Sequence, residues 1–411
     1  VKYALGIVLC AIAVVSGLLA TIQRHDSDVE KVILRPSKTV ATEKNAYFQL
    51  LGLFAAAGAD PFQQGKQLVV DYEESLIDTS TTVLADNKIS KITVGPAIRC
   101  DIVELCVHDV QMAPVKVRDL LKQYAIVIMR YGKLADYDGF YAIVKPAFEE
   151  PTVAMHELKN LHQLLLVELT YLHIQGEPAR AAEKLQRYLA IARHILTATD
   201  NAMMKLVMST QYGALLRLTS VLSDRRGDTS RLASIVQNQL PFTTAELSMS
   251  RAIGRDYSLA KNYLMSLYGD KKIADTRQLQ AITRYYDHQL AIDRMSFAAL
   301  NQFLKSNAEE PDFTTPHDVI DPLLLKQMVV KNYPSYVATV RNNGLLLDLL
   351  KLKMRVIREK IDLAKMAELI KEFNNGRSSE LPPVQWHAKH KSLSVRGVAE
   401  INTALMLKIK G

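Results

Sequence analysis

Apolar and polar positions change rhythm several times along the chain. The first stretch has no rhythm: Tyr3 to Gln23, YALGIVLCAIAVVSGLLATIQ, carries no charge. About 20 such residues form a helix of roughly 30 Å, the thickness of a bilayer core, so residues 1–23 are predicted to be a transmembrane anchor. Arg24-His25-Asp26 ends the run. Residues 24–44 are mixed polar, contain Pro36 and follow no period, which predicts a tether.

Helical spacing begins at Asn45, with Tyr47, Leu50, Leu51 and Phe54 on one stripe. Gly58-Ala59-Asp60-Pro61 breaks it, and a second helix is predicted from Pro61 to Glu74. Residues 75–98 read as a loop with a short strand at Ile89–Val94. From Val115 the stripe Val117, Leu120, Leu121, Tyr124, Ile128 and Tyr131 predicts one long helix ended by Gly132. Gly176-Glu177-Pro178 then separates two amphipathic runs, which predicts a helical hairpin. Further helices are expected near 202–223, 228–239, 244–268, 275–306, 322–342 and 344–373. Residues 307–322, with Pro311, Pro316 and Pro322, separate the last two from the rest. Two alternating runs around Gly397 predict a terminal β-hairpin.

The hairpin around Gly176 has the flavour of a tetratricopeptide unit, with Ala181 and Ala182 at close-packed positions. No second copy recurs at 34 residues, the period of that repeat. The expected fold is therefore mostly α: an irregular, α-solenoid-like stack of helical hairpins with an N-terminal transmembrane helix and a small C-terminal β-hairpin. Its parts are an anchor (1–23), a tether (24–44), a helical and loop region with a Cys pair (45–114), a helical-hairpin body (115–306) and C-terminal helices plus hairpin (307–411).

Two readings compete for the apolar run. A cleavable signal peptide has a shorter core, about 7–15 residues, and a small-x-small site. The nearest candidates here are Val15-Ser16-Gly17 and Leu18-Leu19-Ala20, the second with a bulky residue at the wrong place, and the length of the run favours the uncleaved anchor. Lys2 on one side against Arg24, Lys31, Arg35 and Lys38 on the other would keep the body in the cytoplasm. Long domains, however, translocate largely regardless of charge. Cys100 and Cys106, in RCDIVELC, are an isolated pair. In a translocated protein such a pair reads as a disulfide, and in a cytoplasmic one as two reduced thiols. The disulfide, with the body in the periplasm and the anchor in the inner membrane, is the favoured reading.

Composition adds exclusions more than identity. The chain has 17 Gly and 14 Pro among 411 residues, too few turn formers for a β-sandwich or propeller. Lys+Arg 51 against Asp+Glu 43 gives +8, spread along the chain without an aromatic-interleaved basic block. That speaks against a nucleic-acid partner. No Walker loop, G-x-S-x-G elbow or dinucleotide fingerprint is present, so no cofactor or catalytic residue is assigned. His156 and His162 are six residues apart, about 240° around a helix, and cannot grip one ion from one face. His387-x-x-His390 has no carboxylate beside it. Acidic pairs at Glu73-Glu74, Glu149-Glu150 and Glu309-Glu310 raise a second reading. It is a periplasmic hydrolase of cell-wall or envelope polymers, working through acids such as Glu149 or Glu157. The helix around 344–373 is the most basic local feature. Lys351, Lys353, Arg355 and Arg358 fall mostly opposite Leu349, Leu350, Met354 and Ile357, a face for a partner or lipid contact.

The order of short motifs resembles a group of single-pass, membrane-anchored helical proteins of Gram-negative bacteria to which no activity is assigned. The shared features are the anchor, Asn45-Ala46-Tyr47 leading LLGLFAAAGADP, and the spaced Cys100 and Cys106. Later come Asp321-Pro322, Tyr333-Pro334-Ser335-Tyr336 and Pro382-Pro383 before Trp386. The resemblance implies an envelope setting and a helical body. The expected role is a non-catalytic scaffold that binds envelope protein partners through helical-hairpin surfaces. A third possibility, a lipid or small-molecule carrier, needs a closed apolar cavity of several hundred Å³.

Overall fold

The computed structural model describes residues 27–33, 42–75, 92–93, 98–100, 102–144, 146, 150–225, 230–268, 277–306, 333–398 and 405–409. The expected anchor at 1–23 and the Pro-rich break at 307–322 lie outside them. Among the described residues no helix is long and apolar enough to cross a membrane. These residues form a mostly helical structure with one small antiparallel sheet.

Sixteen α-helices are present among the described residues. They are α1 (Asp28–Ile33), α2 (Ala46–Leu51), α3 (Pro61–Ser75), α4 (Val103–Met112), α5 (Pro114–Gln123), α6 (Ala125–Gly132), α7 (Met155–Ile174) and α8 (Pro178–Ala198). After these come α9 (Ala202–Ser223), α10 (Ser230–Gln237), α11 (Thr244–Leu247), α12 (Ser250–Tyr268), α13 (Arg277–Asp293), α14 (Phe297–Lys305), α15 (Tyr333–Arg358) and α16 (Met366–Asn375). Strands β1 (Val384–His387), β2 (Ser392–Val395) and β3 (Leu405–Lys408) pair in that order, with Trp386 opposite Leu393 and Leu393 opposite Leu407. The terminal hairpin is thus β2–β3, and β1 extends it to three strands.

The predicted hairpin forms as α7 and α8. Gly176 ends α7 at φ +81°, the left-handed conformation that favours glycine. The Glu177 amide then donates to the Leu172 carbonyl at 2.9 Å, and Pro178 opens α8. Helix α9 is the structural centre. It is buried on most of its sides, its polar residues mostly small or hydrogen-bonded, and packs against α4, α7, α8, α10 and α15. Gly213 lets α15 approach: a Cβ there would lie 2.8 Å from Asn343 Oδ1. Asn343 in turn donates to the Ser209 carbonyl at 2.8 Å.

Two buried clusters divide the interior. The larger runs from α2 through α9 to α16 and the sheet. The smaller gathers Tyr257, Ile282, Tyr286, Leu290, Tyr333 and Val337 from α12, α13 and the start of α15. Val29 of α1 belongs to it and is fully buried. Part of the stretch expected to be a tether is therefore a docked helix. The reason is local: Val29 and Val32 face the second cluster while Asp28 pairs with Arg294, just past the end of α13, and Glu30 with Lys261 of α12.

Several expected helices are broken. The stripe from Val115 is interrupted at Tyr124, whose amide bonds back to the Leu120 carbonyl. The run at 244–268 splits at Ser248-Met249, because the Asp293 carboxylate accepts from the Met249 amide at 2.8 Å and from Ser248 Oγ at 2.5 Å. The run at 275–306 splits before Ser296, which caps α14. The opposite happens at Gly344, where α15 continues unbroken. Of the expected strand at Ile89–Val94, only Ile92 and Thr93 are described, and neither is in a strand.

Candidate functional site

A buried ion-pair junction lies where the two clusters meet. Glu150 precedes α7, Asp200 sits in the α8–α9 turn, and Arg255 projects from α12. Arg255 Nη1 donates to Asp200 Oδ2 at 3.0 Å, and Nη2 donates to Glu150 Oε2. Tyr47, Leu51, Phe140 and Met204 close the surroundings, leaving a space of about 30 Å³. That is room for a water or two, far below the several hundred Å³ of a ligand pocket. Burial pushes the Asp200 carboxyl up despite Arg255, and Asp200 Oδ1 is buried with no hydrogen-bond partner. Burial also works against the Arg255 charge, but Asp200 and then Glu150 outweigh it and move its pKa up. Tyr47 is pushed well above the phenol range by burial and by the Glu150 charge.

This geometry joins elements more readily than it performs chemistry. A general acid needs an unpaired carboxyl facing space for a substrate. Here both carboxylates are directed at one guanidinium, and the space beside them is far too small for a sugar ring. The junction ties the α7 lead-in, the α8–α9 turn and α12 together.

The acids singled out in the sequence fall elsewhere. Glu149 and the Glu309-Glu310 pair lie outside the described residues. Glu157 accepts from the Ile92 amide at 2.9 Å, so it anchors a connecting segment. Glu168, which drew no attention in the sequence, accepts from the buried Tyr188 hydroxyl at 2.6 Å and pairs with Lys184 at 2.8 Å. His162 is buried against Tyr131, with Nε2 unpartnered, and burial depresses its pKa to about 3. His387 Nε2 lies 2.7 Å from Ser394 Oγ across the β1–β2 pair, while His390 is exposed. Among the described residues no three His, Cys, Asp or Glu side chains converge on a metal position.

Cys100 and Cys106 stand at disulfide distance, with sulfurs 1.96 Å apart, and both are buried at the entry to α4. Beside them Arg99 grips Asp109 with its backbone amide at 3.0 Å and its guanidinium at 2.9 and 3.0 Å. Those hydrogen bonds lower the Asp109 carboxyl to about 2.

The expected basic face of α15 divides. Arg358 is exposed and Arg355 half-buried; both pair with Glu359, and Arg355 also reaches Glu372. Lys351 is half-buried and donates to the Gln239 carbonyl. Lys353 corrects the expectation, because its side chain is fully buried. Its ammonium donates to the Ser220 carbonyl and hydroxyl, each at 2.9 Å, and pairs with Asp224 at 2.8 Å. Helix α15 packs against α9 and α10 on one side and the sheet on another, so its charged side is partly an inside surface.

One functional-looking residue escaped the sequence reading. Arg130 of α6 is buried and points into the turn after α2, donating to the carbonyls of Ala55 at 2.5 Å, Ala56 at 2.8 Å and Ala59 at 2.7 Å, with longer bonds to Leu53 and Ala57. The Ala55–Gly58 stretch is too poor in glycine to cradle a phosphate with its amides. It cradles a guanidinium with its carbonyls instead. The one trace of it in the sequence is a lone Arg in the otherwise apolar AIVIMRYG.

No protein-family model, curated protein or solved structure matches the chain.

Proposed function

We propose that the chain is a non-catalytic docking protein of the bacterial envelope, held in the inner membrane by residues 3–23 with its body in the periplasm. The carrying observation is the charge-free run from Tyr3 to Gln23, long enough to cross a bilayer core. The Cys100–Cys106 pair supports an oxidising compartment. Partner proteins would dock on the outer faces of an irregular stack of helical hairpins. The anchor would concentrate both partners in two dimensions. The hydrolase reading gains no support from Glu150 and Asp200, since Arg255 takes both carboxylates beside a space too small for a sugar ring.

The test is protease added to spheroplasts carrying the full chain. The body is expected to be degraded in intact spheroplasts. A body that stays intact until lysis refutes the topology. Crosslinking in membranes then tests docking: a specific membrane-complex partner is expected, and reproducible recovery of the protein alone counts against it.

A further inference from the structure

The docking of α1 has a geometric consequence for where the body sits. Ser27 Oγ and the Val29 amide both donate to Asp287 Oδ1, at 3.1 and 2.9 Å. Glu30 accepts from Lys261 Nζ at 3.0 Å and from the Tyr257 hydroxyl at 3.2 Å. Asp28 pairs with Arg294. Val29 is buried in the second cluster, and Val32 packs against it. Helix α1 is thus fastened to α12 and α13 by its backbone, its acids and its apolar face together.

Four residue steps separate Gln23 from Ser27. Fully extended, they reach about 14 Å. The headgroup layer on one side of a bilayer is itself about 5–8 Å thick. Resting on the reading of residues 3–23 as an anchor, we infer that the face formed by α1 and the C-terminal half of α13 lies against the lipid headgroup layer, with no free tether holding the body away. The partner of this face is the zwitterionic and anionic headgroup surface in general. The charges fastening α1 are balanced, with Lys31, Lys261 and Arg294 facing Asp28, Glu30 and Asp287. Apposition therefore follows from chain length and does not select anionic lipid.

Ala291 is exposed on α13, one turn beyond Asp287 and three residues before Arg294. Lys371 is exposed on α16, which packs against β1 in the larger cluster. In a Cys10→Ser background, full-length protein with Ala291→Cys or Lys371→Cys is labelled with a fluorophore and reconstituted into phosphatidylcholine vesicles containing a headgroup-linked nitroxide. Quenching at 291 is expected to exceed that at 371 at least twofold. The ratio should stay the same with 30% phosphatidylglycerol, a proportion of roughly one lipid in three chosen to give a strongly anionic surface. It should fall toward one when Val29→Asp and Asp287→Ala release α1. A chain that floats with the vesicles but is quenched equally at both positions overturns the inference alone. A chain that does not float with them overturns the anchor on which it rests.

Discussion

Lys353 and Asp224 form an ion pair at 2.8 Å in which the lysine side chain has no solvent exposure. Asp224 Oδ1 has no hydrogen-bond partner to replace that cation. Breaking a buried pair from one side costs about 3–5 kcal/mol, because the other charge stays behind. Lys353→Met should therefore destabilise the protein by that amount in urea unfolding. Lys353→Met combined with Asp224→Leu should recover more than half of the loss. A single variant as stable as wild type would mean the pair carries no net structural role.

The α2–α3 corner depends on glycine for closeness. A Cβ on Gly65 would lie 1.9 Å from the Phe48 carbonyl oxygen, and one on Gly52 would lie 1.9 Å from that of Pro61. Both obstacles are backbone, so the helices must separate. Gly65→Ala is expected to cost at least about 1–3 kcal/mol, the usual range for overpacking. Gly58→Ala, where a Cβ meets nothing within 4 Å, is the control and should leave the thermal midpoint unchanged.

His162 imposes a pH dependence. Its pKa falls from 6.5 to about 3 on folding because burial opposes the charged ring. Below pH 6.5 the unfolded chain takes a proton that the folded chain refuses. The stability associated with the neutral ring is thus complete above pH 6.5 and declines as pH falls toward 3. The slope approaches about 1.4 kcal/mol per pH unit. Comparing wild type with His162→Leu by urea unfolding at pH 7.0, 6.0 and 5.0, spaced about one unit apart to read that slope, should show the difference between them moving in favour of the variant as acid is added. Parallel curves would exclude the mechanism.

Arg255→Gln should leave Glu150 and Asp200 facing each other without their cation. A loss of about 3–5 kcal/mol is expected near neutral pH. Protonation relieves the repulsion, so the defect should shrink as pH falls toward 4. A defect that grows in acid would show that the two carboxylates are not the source.

Much of the helical layout was legible because burial on one face leaves a periodic trace. Val117, Leu120, Leu121 and Ile128 fell on a stripe, and the Gly176-Glu177-Pro178 turn announced itself. Breaks that depend on distant groups left no such trace. Nothing near Ser248 shows that Asp293 will accept its hydroxyl and the next amide. Nothing at Gly344 shows that α15 will be enclosed on both sides and run through. The same enclosure misled the reading of Lys353: a lysine opposite a leucine stripe reads as solvated unless a second layer covers it. The Arg255 junction was equally hidden, since its three members come from positions 150, 200 and 255.

The single guanidinium that gathers the carbonyls of residues 53–59 comes from a helix more than seventy positions downstream. That corner of the molecule therefore cannot open by itself. When the bend after α2 lets go, α6 loses its main polar attachment, and when α6 lifts away, the buried Leu53 and Ala55 carbonyls lose the cation that they share. In native-state hydrogen exchange the two segments should release their amides with one shared opening free energy, as a single cooperative foldon assembled from distant parts of the chain.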